Sequence, residues 1–124
     1  MTDNAYFFDT YAILETLRSS PKYRPYLAAS AVTTKLSLFE LYCGLRRVGK
    51  TRQEALATVK EWAACAVDYD VGVIRDAAEM WLEQRGRDIS MTDCIGYVIA
   101  RRLGIRFLTG DAQFRDMPNV EFVK

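Results

Sequence analysis

The stretch Ala5-Tyr6-Phe7-Phe8-Asp9-Thr10 decides the fold of this chain, because a short apolar run ends there on a carboxylate. Aromatic residues such as those in the run favour β-strands. An Asp is a poor continuation of such a strand, and a carboxylate beside buried apolar side chains is costly unless its charge is compensated. The stretch therefore predicts a buried strand over residues 6–8 that ends at Asp9.

The rest of the chain alternates short apolar runs with amphipathic stretches. Further strands are predicted over residues 31–36, 66–69, 105–108 and 120–123. Helices are predicted over residues 11–18, 37–48, 51–64, 71–84 and 93–103. Strands that alternate with helices in this way indicate a mostly parallel sheet covered on both faces. We therefore predict one α/β domain over residues 1–124.

Two of the predicted helices begin with the pattern of a capping box, in which Ser or Thr is followed three residues later by Glu. One box is Thr51 with Glu54, and the other is Ser37 with Glu40. In the second box Glu40 would hydrogen bond to the backbone at the start of its own helix. The helix over 71–84 carries an apolar stripe that is expected to face the core, formed by Ile74, Ala78, Trp81 and Leu82.

Acidic residues stand at four places where an apolar run ends or a helical pattern begins, namely Asp9, Glu40, Asp93 and Asp111. Open α/β sheets bind ligands at the carboxyl ends of their strands. If the four side chains converge there, they form a pocket for a hard cation of the kind that acts on phosphates. Each acid except Asp9 also has a simpler interpretation: Glu40 as a cap, Asp93 as a first-turn residue after a Thr92 N-cap, and Asp111 as a turn residue.

The composition excludes several kinds of chemistry. The chain contains no histidine, which rules out Ser-His-Asp and Cys-His catalysis and histidine-ligated zinc. Hydrolysis would then depend on carboxylates, a metal ion, Lys, Tyr or Cys. The three cysteines are widely spaced and predict free thiols. The net charge is only +1, so overall charge does not indicate nucleic-acid binding.

The sequence predicts a cytoplasmic protein with no membrane segment. No apolar run approaches the roughly 20 residues that a membrane-spanning helix needs. The start, Met1-Thr2-Asp3-Asn4, lacks the basic region and the long apolar region of a signal peptide.

With its four acidic segments taken together, the sequence resembles the PIN-domain nucleases, and specifically the short VapC-like toxins of toxin–antitoxin pairs. The resemblance covers nearly the whole chain and follows the family's order and spacing. It rests on Tyr6-Phe7-Phe8-Asp9-Thr10, Ser37-Leu38-Phe39-Glu40-Leu41-Tyr42-Cys43-Gly44-Leu45, Met91-Thr92-Asp93-Cys94-Ile95-Gly96 and Leu108-Thr109-Gly110-Asp111-Ala112-Gln113-Phe114. The chain departs from the family's pattern at Tyr11, where a small residue is common, and at Cys94, where Ala is common. A Tyr at position 11 would narrow the pocket or stack on a base of the substrate.

The resemblance implies a three-layer α/β/α fold whose acids bind Mg²⁺ or Mn²⁺ and hydrolyse RNA phosphodiester bonds. It makes Asp9 and Asp93 the principal ligands, with Glu40 and Asp111 completing the site directly or through water. Hydroxyls beside such carboxylates often orient them, a role expected of Thr10 and Thr109. The resemblance also implies a homodimer and a small antitoxin partner. Basic residues after the Glu40 helix are candidates for contact with the RNA backbone: Arg46, Arg47, Lys50 and Arg52.

Two alternatives remain open at the level of sequence. The chain would equally suit a PIN-type ribonuclease of RNA processing or turnover that has no antitoxin. It would also suit a module that binds metal or RNA without cutting, such as a receiver-like acidic pocket. A receiver needs a Lys near its last strand, and the sequence offers only the terminal Lys124 there.

Overall fold

The computed structural model describes residues 4–124, in which four parallel strands form one sheet in the order β2-β1-β3-β4. The strands are β1 (Ala5–Phe8), β2 (Ser30–Val32), β3 (Arg106–Thr109) and β4 (Val120–Phe122). In the register of the sheet, Phe7 pairs with Val32 on one side and with Phe107 on the other. Because all four strands run in one direction, their carboxyl ends lie along a single edge. The start of the chain, on which the expectation of no signal peptide rested, lies outside the described residues except for Asn4.

The helices cover both faces of the sheet, which confirms the predicted three-layer α/β/α arrangement. They are α1 (Thr10–Leu17), α2 (Lys35–Arg47), α3 (Arg52–Ala63), α4 (Val71–Glu83) and α5 (Met91–Leu103), with short 3₁₀ helices at Pro21–Tyr26 and Ala112–Phe114. Successive residues of a strand point to opposite faces. Phe8 therefore packs among α1, α2 and α3, whereas Phe7 packs against α4 and α5. Among residues 4–124, no helix is both long enough and apolar enough to cross a bilayer.

A glycine lets α5 lie unusually close to the sheet. The rings of Phe7 and Phe107 stack with their centroids 5.6 Å apart. A Cβ atom at Gly96 would lie only 2.5 Å from Cε1 of Phe7. The absence of a side chain at Gly96 thus brings α5, and with it Asp93 one turn earlier, against the central strands.

Helix α2 begins earlier than predicted, and the capping box at Ser37 and Glu40 is wrong. Thr34 is the N-cap, and its hydroxyl accepts a hydrogen bond from the Ser37 backbone N–H at 3.2 Å. The predicted strand over 31–36 consequently ends at Val32. Thr34 has the extended backbone of a strand residue as well as a capping side chain, so its β-branched type misled the prediction.

The second predicted capping box is confirmed at the start of α3. The Thr51 hydroxyl accepts from the Glu54 backbone N–H at 3.1 Å, and the Glu54 carboxylate accepts from the Thr51 N–H at 2.9 Å. Helix α5, in contrast, is capped by Ser90 instead of Thr92, which places Asp93 at the third helical position. The predicted strand over 66–69 is reduced to a single bridge between Ala66 and Thr33.

The apolar stripe predicted to bury α4 is also wrong. Val73 and Ala77 are buried on this helix, whereas Ile74, Trp81 and Leu82 are 48%, 38% and 50% exposed. Helix α4 has apolar residues on two faces, and both repeat with helical spacing. Periodicity therefore predicted the helix correctly but selected the wrong face.

Candidate active site

All four acids predicted from the sequence line one open cleft at the carboxyl edge of the sheet, with a volume of about 490 Å³. Asp9 directly follows β1 and Asp111 lies two residues after the end of β3. Glu40 is on α2 and Asp93 is in the first turn of α5. Residues that are up to about 100 positions apart are thus brought together because parallel strands end at the same edge.

Asp9 is buried and held at both carboxylate oxygens. It is the N-cap of α1, and its Oδ1 atom accepts from the Ala12 backbone N–H at 2.7 Å. Its Oδ2 atom accepts a short hydrogen bond from the Thr109 hydroxyl. Only 4% of the residue is exposed. The carboxylate therefore has a fixed orientation at the floor of the cleft.

Thr109 connects two of the acids. Its hydroxyl donates to Asp9 and accepts from the Asp111 backbone N–H at 3.0 Å. Asp111 in turn accepts from the Gln113 N–H at 3.0 Å and caps the 3₁₀ helix Ala112–Phe114. Asp111 is thus a turn residue, as the simpler interpretation proposed, and it lines the cleft as well.

Thr10 provides an equivalent contact on the other side. Its hydroxyl donates to Oε1 of Glu40 at 3.1 Å, which joins the start of α1 to the middle of α2. Glu40 therefore turns toward the cleft instead of capping its own helix. Thr10 and Thr109, the two threonines predicted to orient carboxylates, thus each donate a hydrogen bond to a carboxylate of the cleft.

The electrostatics of the cleft are unbalanced. Burial raises the pKa of Asp9 to about 8, more than the hydrogen bonds from Thr109 and Ala12 lower it, and the charges of Asp93 and Asp111 raise it further. Burial likewise raises the pKa of Asp93 to about 7, with added repulsion from Glu40 and Asp111. No basic side chain is among the main influences on either pKa. The cleft is thus predominantly acidic, with Lys124 as the one basic side chain among the described residues that line it.

The chemistry of these residues fits a hard divalent cation. Carboxylate oxygens are the ligands that Mg²⁺ and Mn²⁺ prefer. Within the described part of the chain, no three acidic or thiol side chains are grouped tightly enough to enclose an ion by themselves. Mg²⁺ commonly keeps several waters and is bound through only one or two carboxylates. An open acidic cleft suits such a partly hydrated ion.

The family to which the chain belongs follows from its sequence. The family model described as PIN domain matches residues 6–120, a range that contains all four acids. The chain belongs to the PIN domain family. PIN domains are generally nucleases, and the cleft of this PIN domain has the acidic character that phosphodiester hydrolysis with metal ions requires.

Solved structures share the PIN fold over almost the entire chain. A toxin-antitoxin complex from Klebsiella pneumoniae matches with a TM-score of 0.73 at 12% identity, covering 94% of this chain and 95% of the other. VapBC2 from Rickettsia felis, bound to a promoter DNA fragment, matches with a TM-score of 0.70 at 17% identity, covering 96% of this chain and 97% of the other. VapBC-5 from Mycobacterium tuberculosis matches with a TM-score of 0.67 at 24% identity, covering 98% of each chain. No curated protein matches the sequence.

The basic residues predicted to hold RNA do not line the cleft of the PIN domain. They lie at the end of α2 and the start of α3, exposed, and comprise Arg46, Arg47, Lys50 and Arg52. At about 1.5 Å per helical residue, Arg47 is roughly 10 Å along α2 from Glu40. They therefore remain candidates only for contacts with more distant parts of a substrate.

Sequence reasoning missed other residues that line the cleft, among them Asp88, Ser90 and Lys124. Asp88 and Ser90 lie just before α5, and Ser90 caps that helix. Lys124 follows β4, and residues after parallel strands reach this edge of the sheet. Its position after the last predicted strand is therefore the signal in the sequence that could have placed Lys124 at the cleft.

Proposed function

We propose that this PIN domain is a metal-dependent endoribonuclease and the toxin of a toxin–antitoxin pair. The observation that carries the proposal is the convergence of Asp9, Glu40, Asp93 and Asp111 on one predominantly acidic cleft, in which the pKa values of Asp9 and Asp93 are raised. Bound cations would stabilise such a cluster, because they would offset the burial and the repulsion that raise the pKa values of Asp9 and Asp93. The nuclease character of the family gives the cations a function.

The residues have distinct roles in the proposed reaction. Asp9 and Asp93 are the principal ligands of Mg²⁺ or Mn²⁺, and Glu40 and Asp111 complete the site directly or through water. The ions, when bound, lower the pKa of an attacking water and neutralise charge on the phosphate. Thr109 joins the Asp9 and Asp111 segments, because its hydroxyl hydrogen bonds to both. Thr10 holds Glu40 toward the cleft.

The partner part of the proposal rests on similar structures. The similar chains from Rickettsia felis and Mycobacterium tuberculosis are members of VapBC complexes, and the similar chain from Klebsiella pneumoniae is in a toxin-antitoxin complex. We infer a small antitoxin that binds this chain, and a homodimer as its own assembly. Exposed apolar side chains on α4 and α2, such as Val71 and Phe39, provide surface for such contacts.

The nuclease proposal is tested by substituting the two principal ligands. Asp9→Asn and Asp93→Asn keep the size of each side chain but remove its charge, and each is expected to abolish RNA cleavage in Mg²⁺ or Mn²⁺. Asp116→Asn serves as the matched control, because Asp116 is exposed and outside the cleft. Cleavage at the wild-type rate by both cleft variants would overturn the site assignment.

The same assay separates the alternatives. RNA that stays intact in Mn²⁺, together with measurable metal binding, would favour a non-catalytic module. Cleavage of RNA by a chain that has no antitoxin gene beside its own would favour RNA processing or turnover. Single-stranded DNA of matching sequence in a parallel reaction tests the preference for RNA.

A further inference from the structure

An aromatic side chain forms one wall of the acidic cleft. Tyr11 is the second residue of α1, half-buried, and lines the cleft beside Asp9 and Thr10. Its ring lies 6.4 Å from the ring of Tyr23, centroid to centroid, which is within the range of aromatic packing. The ring therefore packs on Tyr23 and also lines the cleft that holds the carboxylates.

A glycine makes room for the ring of Tyr11. A Cβ atom at Gly110 would lie 2.2 Å from Cε1 of Tyr11 and 2.5 Å from the carbonyl oxygen of Val123. Gly110 separates Thr109 from Asp111, so the ring packs directly on the segment that carries two of the site residues. Tyr11 thus packs against the same backbone segment that carries Asp111.

Lys124 is the only basic residue among those described as lining the cleft. Its ammonium nitrogen lies 6.0 Å from the centre of the Tyr11 ring. The backbone at this end is anchored, because the Tyr23 hydroxyl donates to the Val123 carbonyl at 2.7 Å and Lys22 donates to the Lys124 carbonyl at 3.0 Å. An exposed cation thus lies over an aromatic ring in an otherwise acidic cleft.

The order of the strands gives the cleft a direction. Lys124 follows β4, which is two strands from β1 and Asp9, or roughly 10 Å at the usual strand spacing. Glu40 belongs to α2, which follows β2 on the opposite side of β1. Glu40 thus lies on the β2 side of Asp9, whereas Lys124 lies on the β4 side.

We propose that Tyr11 and Lys124 form a binding subsite for one nucleotide of single-stranded RNA, next to the phosphate held at the acidic residues. The base stacks on the ring of Tyr11, and the exposed Lys124 side chain, whose ammonium group lies over that ring in the free protein, moves to contact the phosphate of that nucleotide. The subsite rests on the proposed nuclease function, since it positions the strand for cleavage at the same cleft.

The shape and the charge of the cleft both support this subsite. Its volume of about 490 Å³ is within the range of pockets that hold small organic ligands, and exceeds what ions alone require. Aromatic side chains with neighbouring cations are the usual platform for single-stranded nucleic acid, because every base can stack. A cleft with several carboxylates repels a polyanion, so a cation at its β4 end also favours entry of RNA from that side.

The test measures binding of a short fluorescent single-stranded RNA, by anisotropy in Mg²⁺, in the Asp93→Asn background, where we expect the RNA to stay intact. Tyr11→Leu keeps apolar bulk but removes the ring, and is expected to weaken binding about 5- to 150-fold. Tyr11→Phe keeps the ring and should retain the affinity. An RNA with one abasic position gives a second readout, because Tyr11→Leu should weaken its binding much less when the missing base is the stacked one.

Lys124 is tested by the salt dependence of the same binding. Lys124→Ala should reduce the slope of log K against log salt by about 0.7, the value for one contact to a single strand. Lys60→Ala, on the exposed surface of α3 outside the cleft, should leave the slope unchanged. A melting temperature close to the parent's for each variant shows that lost binding is not lost folding.

The outcomes distinguish the subsite from the nuclease function. Equal RNA affinity of the parent, Tyr11→Leu and Lys124→Ala would overturn the subsite, whatever the wild-type cleavage rate. A wild-type chain that binds RNA through Tyr11 without cutting it would overturn the nuclease function but support the subsite. No measurable RNA binding by the wild type would overturn both.

Discussion

At the scale of single residues, the competition between burial and hydrogen bonding determines the properties of the site. Asp9 accepts hydrogen bonds from Ala12 and Thr109, and both favour its ionised form. Its pKa nevertheless rises to about 8, because the loss of water around a buried carboxylate outweighs them. The residue is ordered by its hydrogen bonds but destabilised as an anion, which is the condition that a bound cation relieves.

The Thr109 hydroxyl gives the first prediction at this scale. Thr109→Val has a similar shape but cannot donate to Asp9 or accept from the Asp111 N–H. We expect the free energy of unfolding to fall by about 1–3 kcal/mol, as for a buried group left without its partner. Cleavage should fall about 10- to 100-fold, as for other groups that orient metal ligands. Denaturant unfolding and RNA cleavage measure the two effects.

Thr109→Ser is the matched control for that substitution, since it keeps the hydroxyl. It should retain most of the cleavage activity. Wild-type activity in Thr109→Val would mean that the hydroxyl does not orient the carboxylate.

The raised pKa values predict how stability depends on pH in the metal-free protein. In the unfolded chain Asp9 and Asp93 ionise near the ordinary pKa of 3.8, whereas in the folded chain they ionise near 8 and 7. Between these values the folded state binds more protons, so the free energy of unfolding falls as the pH rises. We expect urea unfolding in EDTA to show decreasing stability from pH 4 to about pH 8.

Asp9→Asn tests the origin of that trend, because its side chain cannot ionise. The variant should lose part of the pH dependence and, without metal, be more stable than the wild type near pH 8. A metal-free Asp9→Asn protein with the wild-type pH profile would contradict the assignment of the trend to Asp9.

At the scale of elements, close packing of α5 on the sheet places the first-turn carboxylate of Asp93 in the cleft. Gly96 is near the middle of α5, where glycine costs about 1 kcal/mol relative to alanine. The residue is nonetheless suited to this position, because a Cβ would lie 2.5 Å from the Phe7 ring. The local preference of the helix thus yields to the contact between layers.

Gly96→Ala is therefore expected to destabilise the protein by about 1–3 kcal/mol despite its better helix propensity, as overpacked cores do. Gly44→Ala is the matched control on α2, since its Cβ would meet only Leu14 Cδ1 at 3.4 Å. That variant should be as stable as the wild type or more stable by up to about 1 kcal/mol. Equal stability changes in the two variants, measured by urea unfolding, would show that packing against Phe7 does not decide the effect.

At the scale of the whole molecule, acids from four separate segments meet only in the folded state. A cation that binds this cluster binds the native protein and not the unfolded chain, so it must stabilise the fold. We expect Mn²⁺ at about 100 times its dissociation constant to add about 2.7 kcal/mol. Calorimetry should show a rise of several degrees in melting temperature.

The rise should disappear in Asp93→Asn and persist in Asp116→Asn, whose carboxylate is outside the cleft. A rise of the same size in Asp93→Asn would mean that the stabilising ion binds elsewhere.

Neighbouring residues along the chain were enough to predict some features of the structure correctly but not others. The Thr51 and Glu54 capping box involves only neighbouring residues, so its pattern predicted it correctly. The similar pattern at Ser37 and Glu40 failed, because Glu40 instead meets Thr10, thirty positions away. The prediction of the buried face of α4 was wrong for the same reason, since the position of the sheet selects between two apolar faces.

The sequence by itself determined the α/β class and most of the alternation of strands and helices, because both depend on periodicity. It pointed to the four acids through their positions at element boundaries and through the resemblance to the PIN-domain nucleases. The tertiary structure decided which side chains share the cleft, how Thr10 and Thr109 hold their carboxylates, and that Tyr11 packs on Gly110 beside Lys124. The physical reason is that parallel strands bring distant segments to a common edge, and spacing along the chain does not specify contacts across that edge.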